Sequence, residues 1–244
     1  MTPSHLRVEH SPAGYRRLLL SRPERRNALD VGLARALRDA LGQDRAAPVV
    51  LGSADPRMFC AGADLTIPDA DRATVSDLLY ECYEVMVTRP GPVIAVVSGP
   101  AVGGGAQLAA AADLRIAGPG ARLRWAGPAG RGLAVGAWVL TDLVGRGTAM
   151  ELALTGRWVP AGEALAMGLV NRVEDDPAQV AAGLAAELAA QGPAVPEKVK
   201  SVMAAGGLLD RLHAERRVNR SAWAQAIALA GDRVPTPDGM RAGG

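Results

Sequence analysis

The chain has 244 residues, a formal net charge of +2, 49% hydrophobic residues and only 3% aromatic residues. This length suits one large domain or two small ones, and the hydrophobic content excludes a disordered chain. The near balance of 27 basic and 25 acidic residues argues against a nucleic-acid-binding protein, which concentrates Lys and Arg on one face.

The N-terminal residues lack the apolar segment of a secretory signal peptide, so we expect a cytoplasmic protein. Cys60 and Cys82 do not have the spacing of a zinc site or a disulfide framework, and the three histidines are scattered, so we expect no metal. Residues 90–112 are uncharged and long enough to span a membrane. Their prolines and glycines would break a helix, and we expect no membrane span.

The apolar pattern predicts strands that alternate with helices. The predicted strands are 6–9, 15–20, 48–51, 93–97, 114–117 and 169–173. The predicted helices are one that Asp30 caps, then 71–87, 104–112, 137–144, 148–154 and 161–167. From residue 177 onward the pattern is helical only, with breaks near 192–193 and 206–207. This order indicates an α/β core over 1–190 and a C-terminal helical region over 191–244, joined in one continuous unit.

A glycine-rich junction follows the predicted strand 93–97, where Gly103, Gly104 and Gly105 lead into a helix. Such a junction presents free backbone N–H groups and suits a phosphate or an oxyanion. The P-loop pattern is not met, because no Lys-Ser/Thr pair follows, and the dinucleotide-binding pattern lacks its third glycine. The glycines alone are equally compatible with a packing or turn role.

A second loop of small residues, FCAGADL at 59–65, narrows the possible roles of the glycine-rich junction. Together with RPERRNAL at 22–29, PVIAVVSGPAVGGGAQLAAAADLRIA at 92–117 and EALAMGLV at 163–170, it resembles the crotonase superfamily of enoyl-CoA hydratases and isomerases. The resemblance implies a spiral of ββα units with a C-terminal helical region. It also implies a homotrimer or hexamer, an acyl-CoA thioester as ligand or substrate, and no cofactor.

The resemblance also implies a binding site. In the family, two backbone N–H groups hold the thioester oxygen, and they match Ala63 and Gly104. Fixed amide donors stabilise the charge that develops on such an oxygen, and small residues let the backbone approach the ligand closely. The family's CoA-contacting positions match Ala28, Ala61, Asp64 and Leu65. For Asp64, a carboxylate that caps its own loop is the alternative interpretation.

The chain departs from the family where hydration needs two glutamates. The first matches Gln107, whose amide has no proton-accepting carboxylate. The second matches Gly127, or Pro128 in a neighbouring alignment, and neither is an acid. The whole segment 114–141 contains no Asp or Glu. We therefore expect weak or absent hydratase activity.

A glutamine at the first glutamate position and no acid at the second resemble the pattern of the actinobacterial crotonase homologues that bind long acyl-CoA without turning it over. Trp125 is a candidate to fill the space of the lost acid, with core packing as the alternative.

The sequence thus predicts an acyl-CoA-binding protein of fatty-acid metabolism. The alternative is an active hydratase, isomerase or hydrolase with another proton-transfer residue. Asp142 is the nearest candidate for that residue, although its apolar neighbours predict an outward position. A third alternative, a scaffold protein without a ligand, has no need for the two small-residue loops and fits the sequence less well.

Overall fold

A parallel sheet forms the centre of the fold in the computed structural model, which describes residues 5–127 and 131–231. Six described strands run in the order β1-β2-β3-β4-β6-β9. They are β1 (Leu6–His10), β2 (Arg16–Leu20), β3 (Val49–Ser53), β4 (Val93–Val97), β6 (Leu114–Ala117) and β9 (Arg172–Val173). β1 and β2 pair as an antiparallel hairpin, and the later neighbours pair in parallel.

A smaller sheet lies beside the first and was not predicted. Its strands are β5 (Pro100–Val102), β7 (Arg122–Arg124) and β8 (Val159–Pro160), in the order β5-β7-β8. These strands have two or three residues each, too few to show an alternating pattern. β5 follows β4 directly and β7 follows β6, so the chain passes repeatedly from the large sheet to the small one and then into a helix.

The helices confirm the predicted α/β class and its helical C-terminal region. They are α1 (Val31–Gly42), α2 (Asp69–Thr88), α3 (Gly104–Ala111), α4 (Ala137–Thr155), α5 (Ala161–Ala166), α6 (Pro177–Gln191), α7 (Ala194–Ala204) and α8 (Leu208–Gly231). Asp30 caps α1 as predicted, accepting a hydrogen bond from Leu33 N at 2.8 Å. None of these helices combines the length and apolar character that crossing a membrane requires.

The break predicted between the helices at 137–144 and 148–154 is confirmed within α4. Gly145 lies at a kink there and has a non-helical φ of 74°, a conformation that glycine allows. The strand expected at 169–173 shortens to β9, because Leu169 and Val170 N–H both bond back to the Ala164 carbonyl.

The main core lies between the large sheet and helices α1, α2 and α3. All five residues of β4 are buried, as expected for a parallel strand covered on both faces. A smaller apolar cluster on the opposite face joins the sheet to α6. The C-terminal helix α8 packs against α2 and α4, and so comes back to the centre of the molecule.

The RPERRNAL segment is joined to the FCAGADL loop by Asn27, which is buried and has a φ of 53°. Its Nδ2 donates to Ser53 Oγ at 2.7 Å and to the Phe59 carbonyl at 3.0 Å. Its Oδ1 accepts from Arg22 N at 2.8 Å. One amide side chain therefore fixes where the loop over 59–65 begins.

We expect Asn27→Ala to lower the free energy of unfolding by about 3 kcal/mol, because buried partners lose their hydrogen bonds and Ala resists a positive φ. Asn27→Gly accepts the backbone conformation and should cost about 1 kcal/mol less. Urea denaturation of both variants measures the difference. A loss below about 1 kcal/mol in Asn27→Ala would contradict this role.

Candidate functional site

The loop over 59–65 is held on one side by a parallel bridge between Leu29 and Ala63. Leu29 N–H donates to the Gly62 carbonyl at 2.8 Å, and the Leu29 carbonyl accepts from Asp64 N at 2.9 Å. Because the flanking groups of residues 62 and 64 face Leu29, the Ala63 N–H points to the opposite side of the loop.

On its other side the same loop pairs with β5. Cys60 N–H donates to the Pro100 carbonyl at 3.2 Å, and Val102 N–H donates to the Cys60 carbonyl at 2.9 Å. Gly62 has a φ of +85°, and a Cβ built on it would lie 2.7 Å from Val102 O and 3.6 Å from Gly104 N. The two loops are therefore in van der Waals contact, and a side chain at position 62 would separate them.

The glycine triplet brings the start of α3 to this contact. A Cβ on Gly104 would lie 2.7 Å from Leu79 Cδ1, and one on Gly105 would lie 2.5 Å from the Cys60 carbonyl oxygen. Gly104 is the first residue of α3, so its N–H has no intrahelical partner. It donates to no carbonyl within residues 5–127 and 131–231. A free backbone donor is thus presented next to Ala63.

A cavity of about 260 Å³ lies against both loops. Its walls come from the two loops, from side chains of α2 and α8, and from Ala126, Gly127, Leu133 and Val135. Among the described lining residues there is no Asp, Glu, His, Cys or Lys. The charged lining residues of the described chain are Arg72 and Arg124. The cavity therefore offers two backbone donors in a mostly apolar pocket, with no carboxylate in its wall.

Gln107 is the buried polar side chain of α3 that faces this cavity. It is 5% exposed, and its Oε1 accepts a hydrogen bond from Trp138 Nε1 at 3.0 Å. An indole N–H only donates, so this bond fixes the orientation of the amide. Trp138 in turn stacks on Tyr83, with ring centroids 5.7 Å apart. The Tyr83 hydroxyl donates to the Gly104 carbonyl at 3.2 Å, which links this stack to the glycine triplet.

Behind the cavity lies a buried polar network that the sequence did not predict. Glu215 of α8 accepts from Gly136 N at 3.0 Å and Trp138 N at 2.9 Å, and so caps the start of α4. It also accepts from the Tyr80 hydroxyl at 2.8 Å. Burial raises the pKa of Glu215, although these hydrogen bonds act in the opposite direction. Asn219 completes the network, donating to Tyr80 Oη at 2.7 Å.

The spacing of the buried residues in α8 is the sequence feature from which this network could have been predicted. Among residues 208–229 of this helix, the buried residues lie at spacings of three or four: Leu212, Glu215, Asn219 and Trp223. This spacing places all of them on one face. Glu215 and Asn219 are thus polar residues within an apolar stripe, and such residues need buried partners.

The structure brings six of the predicted site residues together at the cavity wall and leaves three away from it. The lining residues are Ala61, Ala63, Leu65, Gly104, Gln107 and Gly127. Those that do not line the cavity are Ala28, Asp64 and Trp125. The alternative position of the second glutamate, Pro128, lies outside the described residues.

Asp64 caps its own loop, as the alternative interpretation held. Its Oδ1 accepts from Thr66 N at 2.9 Å and from Thr66 Oγ1 at 2.6 Å, and its Oδ2 pairs with Arg22 Nη1 at 2.8 Å. Burial alone would raise the pKa of Asp64, but the hydrogen bonds from Thr66 and Arg22 outweigh it and lower the pKa to about 2. Asp64 is therefore an ionised structural group.

Neither Trp125 nor Asp142 lies at the cavity, where its suggested role would require it. Trp125 is 1% exposed and packs against Gly136, in the core rather than in the cavity wall. It is Trp138, the second tryptophan of this region, that contacts Gln107. Asp142 is exposed and forms an ion pair with Arg211, so it has no access to the cavity.

Comparisons with known proteins identify the family of this chain. The model of the family described as enoyl-CoA hydratase/isomerase matches residues 12–233. A Mycobacterium leprae protein named "Probable enoyl-CoA hydratase echA6" is 36% identical over 215 residues, covering 84% of this chain and 85% of the relative.

Solved structures of similar proteins superpose on this chain. An enoyl-CoA hydratase from Mycobacterium avium subsp. paratuberculosis superposes with a TM-score of 0.82 and 28% identity, covering 93% of this chain and 95% of the other. A monofunctional enoyl-CoA isomerase from M. smegmatis superposes with a TM-score of 0.70 and 30% identity, covering 86% and 98%.

We expect Gly105→Ala to destabilise the protein by about 2 kcal/mol, because the added methyl group meets the Cys60 backbone and forces the two loops apart. Gly183→Ala is the matched control: it lies on the exposed face of α6 with nothing within 4 Å of a new Cβ. That variant should be about 0.5–1 kcal/mol more stable than the wild type. Thermal denaturation of both checks the contact, and equal stability of the two variants would disprove it.

Proposed function

The chain belongs to the enoyl-CoA hydratase/isomerase family, and from this premise we propose that it binds acyl-CoA thioesters without hydrating them. The observation that carries the proposal is the composition of the cavity wall. Two backbone donors are retained there, while the described lining residues include no carboxylate. The site thus keeps the means to hold a thioester and lacks the usual means to move a proton.

Ala63 and Gly104 are the proposed oxyanion hole. Both line the cavity, and the loops that carry them are in contact at Gly62. A thioester oxygen between the two N–H groups would receive two hydrogen bonds from donors that cannot reorient. Ala61 and Leu65, which also line the cavity, are proposed contacts of the CoA part.

Gln107 and Gly127 occupy the proposed positions of the two lost glutamates. The Gln107 amide is held by Trp138 and accepts no proton at neutral pH. A Cβ on Gly127 would lie 3.3 Å from both Leu133 and Val135, so apolar side chains already crowd this position. Loss of one general acid or base lowers a rate by about 10²–10⁴, and loss of both removes most of the hydration rate.

The proposal includes a homotrimeric or hexameric assembly, a cytoplasmic location and a role in fatty-acid metabolism. Exposed apolar side chains support self-association: on α7, Val202 is 75% and Met203 is 76% exposed. On α8, Leu229 is 67% exposed. Side chains of this kind are commonly covered by another subunit.

The oxyanion hole can be tested with a matched pair of ligands rather than a backbone mutation. Butyryl-CoA carries the thioester oxygen, and S-butyl-CoA, a thioether of equal chain length, lacks it. We expect the thioester to bind at least about tenfold more tightly, since it gains two hydrogen bonds of about 1 kcal/mol each. Isothermal titration calorimetry measures both affinities.

The same sample is assayed for hydration of crotonyl-CoA by the loss of its enoyl absorbance. We expect no hydration above the uncatalysed rate. Equal binding of thioester and thioether would refute the oxyanion hole, and rapid hydration would refute the loss of the acid–base pair.

A second candidate function is catalysis through Tyr80 and Glu215. Tyr80 lines the cavity and its hydroxyl bonds to Glu215, whose pKa is raised by burial. The Tyr80 hydroxyl would take a proton from a ligand while it passes its own proton to the Glu215 carboxylate, to which it already donates a hydrogen bond. This pair replaces Asp142 as the proton-transfer group of the alternative enzyme, because Asp142 lies on the surface.

If this pair is catalytic, Tyr80→Phe should lower turnover of an enoyl-CoA or hydrolysis of an acyl-CoA by about 100-fold. Tyr83→Phe is the matched control, because it removes a cavity-wall hydroxyl on the same helix that bonds to Gly104 and not to Glu215. Rates for both variants and the wild type are measured over the same set of thioesters. Absence of turnover in the wild type would eliminate this candidate.

A further inference from the structure

We infer that a small monovalent anion such as chloride binds in the interior of the protein, at the guanidinium groups of Arg16 and Arg89. Neither residue lines the cavity, and the inference is independent of the proposed function. Its basis is a pair of buried positive charges for which the described residues supply no negative partner.

Both arginines lie in the interior and hold the same stretch of backbone. Arg16 of β2 is 2% exposed, and Arg89, which follows α2, is 0% exposed. The shared stretch is the segment 40–47 at the end of α1. Arg16 Nη1 donates to the Ala40 carbonyl at 2.9 Å, and Arg89 Nη2 donates to the Ala47 carbonyl at 2.8 Å. These carbonyls satisfy one nitrogen of each group and neutralise neither charge.

The other guanidinium nitrogens are donors without acceptors. Nε and Nη2 of Arg16, and Nε and Nη1 of Arg89, are buried and have no hydrogen-bond partner in the described part of the chain. Nε and Nη2 form one edge of the planar group. The same edge of Arg216 binds both carboxylate oxygens of Asp77, at 2.7 and 2.8 Å. Arg16 therefore presents in the interior the edge that elsewhere in this protein binds an anion.

The surrounding charges do not compensate the pair. Four further charged groups lie near enough to act on Arg89 or on one another, and their signs cancel: Arg45, Lys200, Asp44 and Asp113. The Asp113 carboxylate is committed to Lys200 Nζ at 2.7 Å. Among the residues that the structure describes, no carboxylate accepts a hydrogen bond from Arg16 or Arg89. Burial and the neighbouring charge of Arg16 lower the pKa of Arg89 to about 10.

A bound anion removes this excess of positive charge, which a water molecule cannot do. A buried charge is costly unless it is paired, and two buried cations close to each other repel as well. The anion has to be small, because both residues are closed to solvent. A divalent oxyanion such as sulfate is larger and costs more to dehydrate. Bound between β2 and the ends of α1 and α2, the anion would stabilise the junction of three elements.

The first experiment compares chloride with gluconate, an anion too large for the site. The protein is dialysed into sodium gluconate, and urea denaturation is followed while chloride replaces gluconate at constant ionic strength. A ligand of the native state lowers the unfolding equilibrium constant about tenfold when its concentration is ten times its dissociation constant. We expect a saturable decrease of at least about this size. Equal stability in the two salts overturns the inference.

Crystals grown with sodium bromide locate the anion without any mutation. We expect an anomalous bromide peak beside Nε and Nη2 of Arg16. A peak there with no effect of chloride on stability would indicate an adventitious ion only and would overturn the inference, as would a chloride effect without a peak at this place.

Variants assign the chloride effect to the pair. Arg16→Lys keeps the positive charge and removes the free edge, so the effect on the unfolding equilibrium should fall to about twofold or less. Arg89→Met removes the second charge and should reduce the effect as well, which provides a second measurement if Arg16→Lys folds poorly. Arg57→Lys is the matched control, because the Arg57 side chain is 85% exposed, and it should keep the wild-type effect. A tenfold effect that survives both Arg16→Lys and Arg89→Met overturns the inference.

Discussion

The close contact between two stretches of backbone determines the rest of the site. Gly62 and Gly105 leave no room for a side chain, and the loops over 59–65 and 100–105 therefore touch through main-chain atoms. On the other side of the first loop, the bridge to Leu29 takes up the hydrogen-bonding groups that flank Ala63 and leaves the Ala63 N–H on the cavity side. The start of α3 supplies a second free N–H at Gly104. Because both donors belong to the backbone, their separation follows from the fold and not from side-chain rotamers.

The single hydrogen bond between Trp138 and Gln107 sets the chemical character of this cavity. A glutamate in that position could act as an acid or a base, whereas an amide only donates and accepts hydrogen bonds. The indole is held by its stack on Tyr83 and by the capping of α4 at Glu215. The orientation of one amide thus depends on a buried network that extends to the C-terminal helix.

The sequence predicted the features that arise from local chemistry. Asp30 caps its helix because capping acts over a few residues. The two small-residue loops were assigned to one site by their resemblance to the crotonase superfamily, and both lie at the cavity. The sequence could not predict which of Trp125 and Trp138 reaches Gln107, since that depends on how α4 packs against α3. The role of Asn27 was also missed, because its partners come from three separate segments. Asp64 had two interpretations in the sequence, and only the positions of Thr66 and Arg22 decided between them.

The position of α8 has a consequence for the order in which the chain folds. The donors of the loops come from residues in the first half of the chain. Asn219 and Trp223 complete the cavity wall, and Asn219 bonds to Tyr80 across 139 positions of sequence. Closing so long a loop costs entropy before any contact forms, so we expect this wall to be assembled after the loops. A ligand in contact with Trp223 would stabilise the docked helix by mass action. Occupancy of the cavity would thereby favour molecules whose last helix is in place over those in which it has detached.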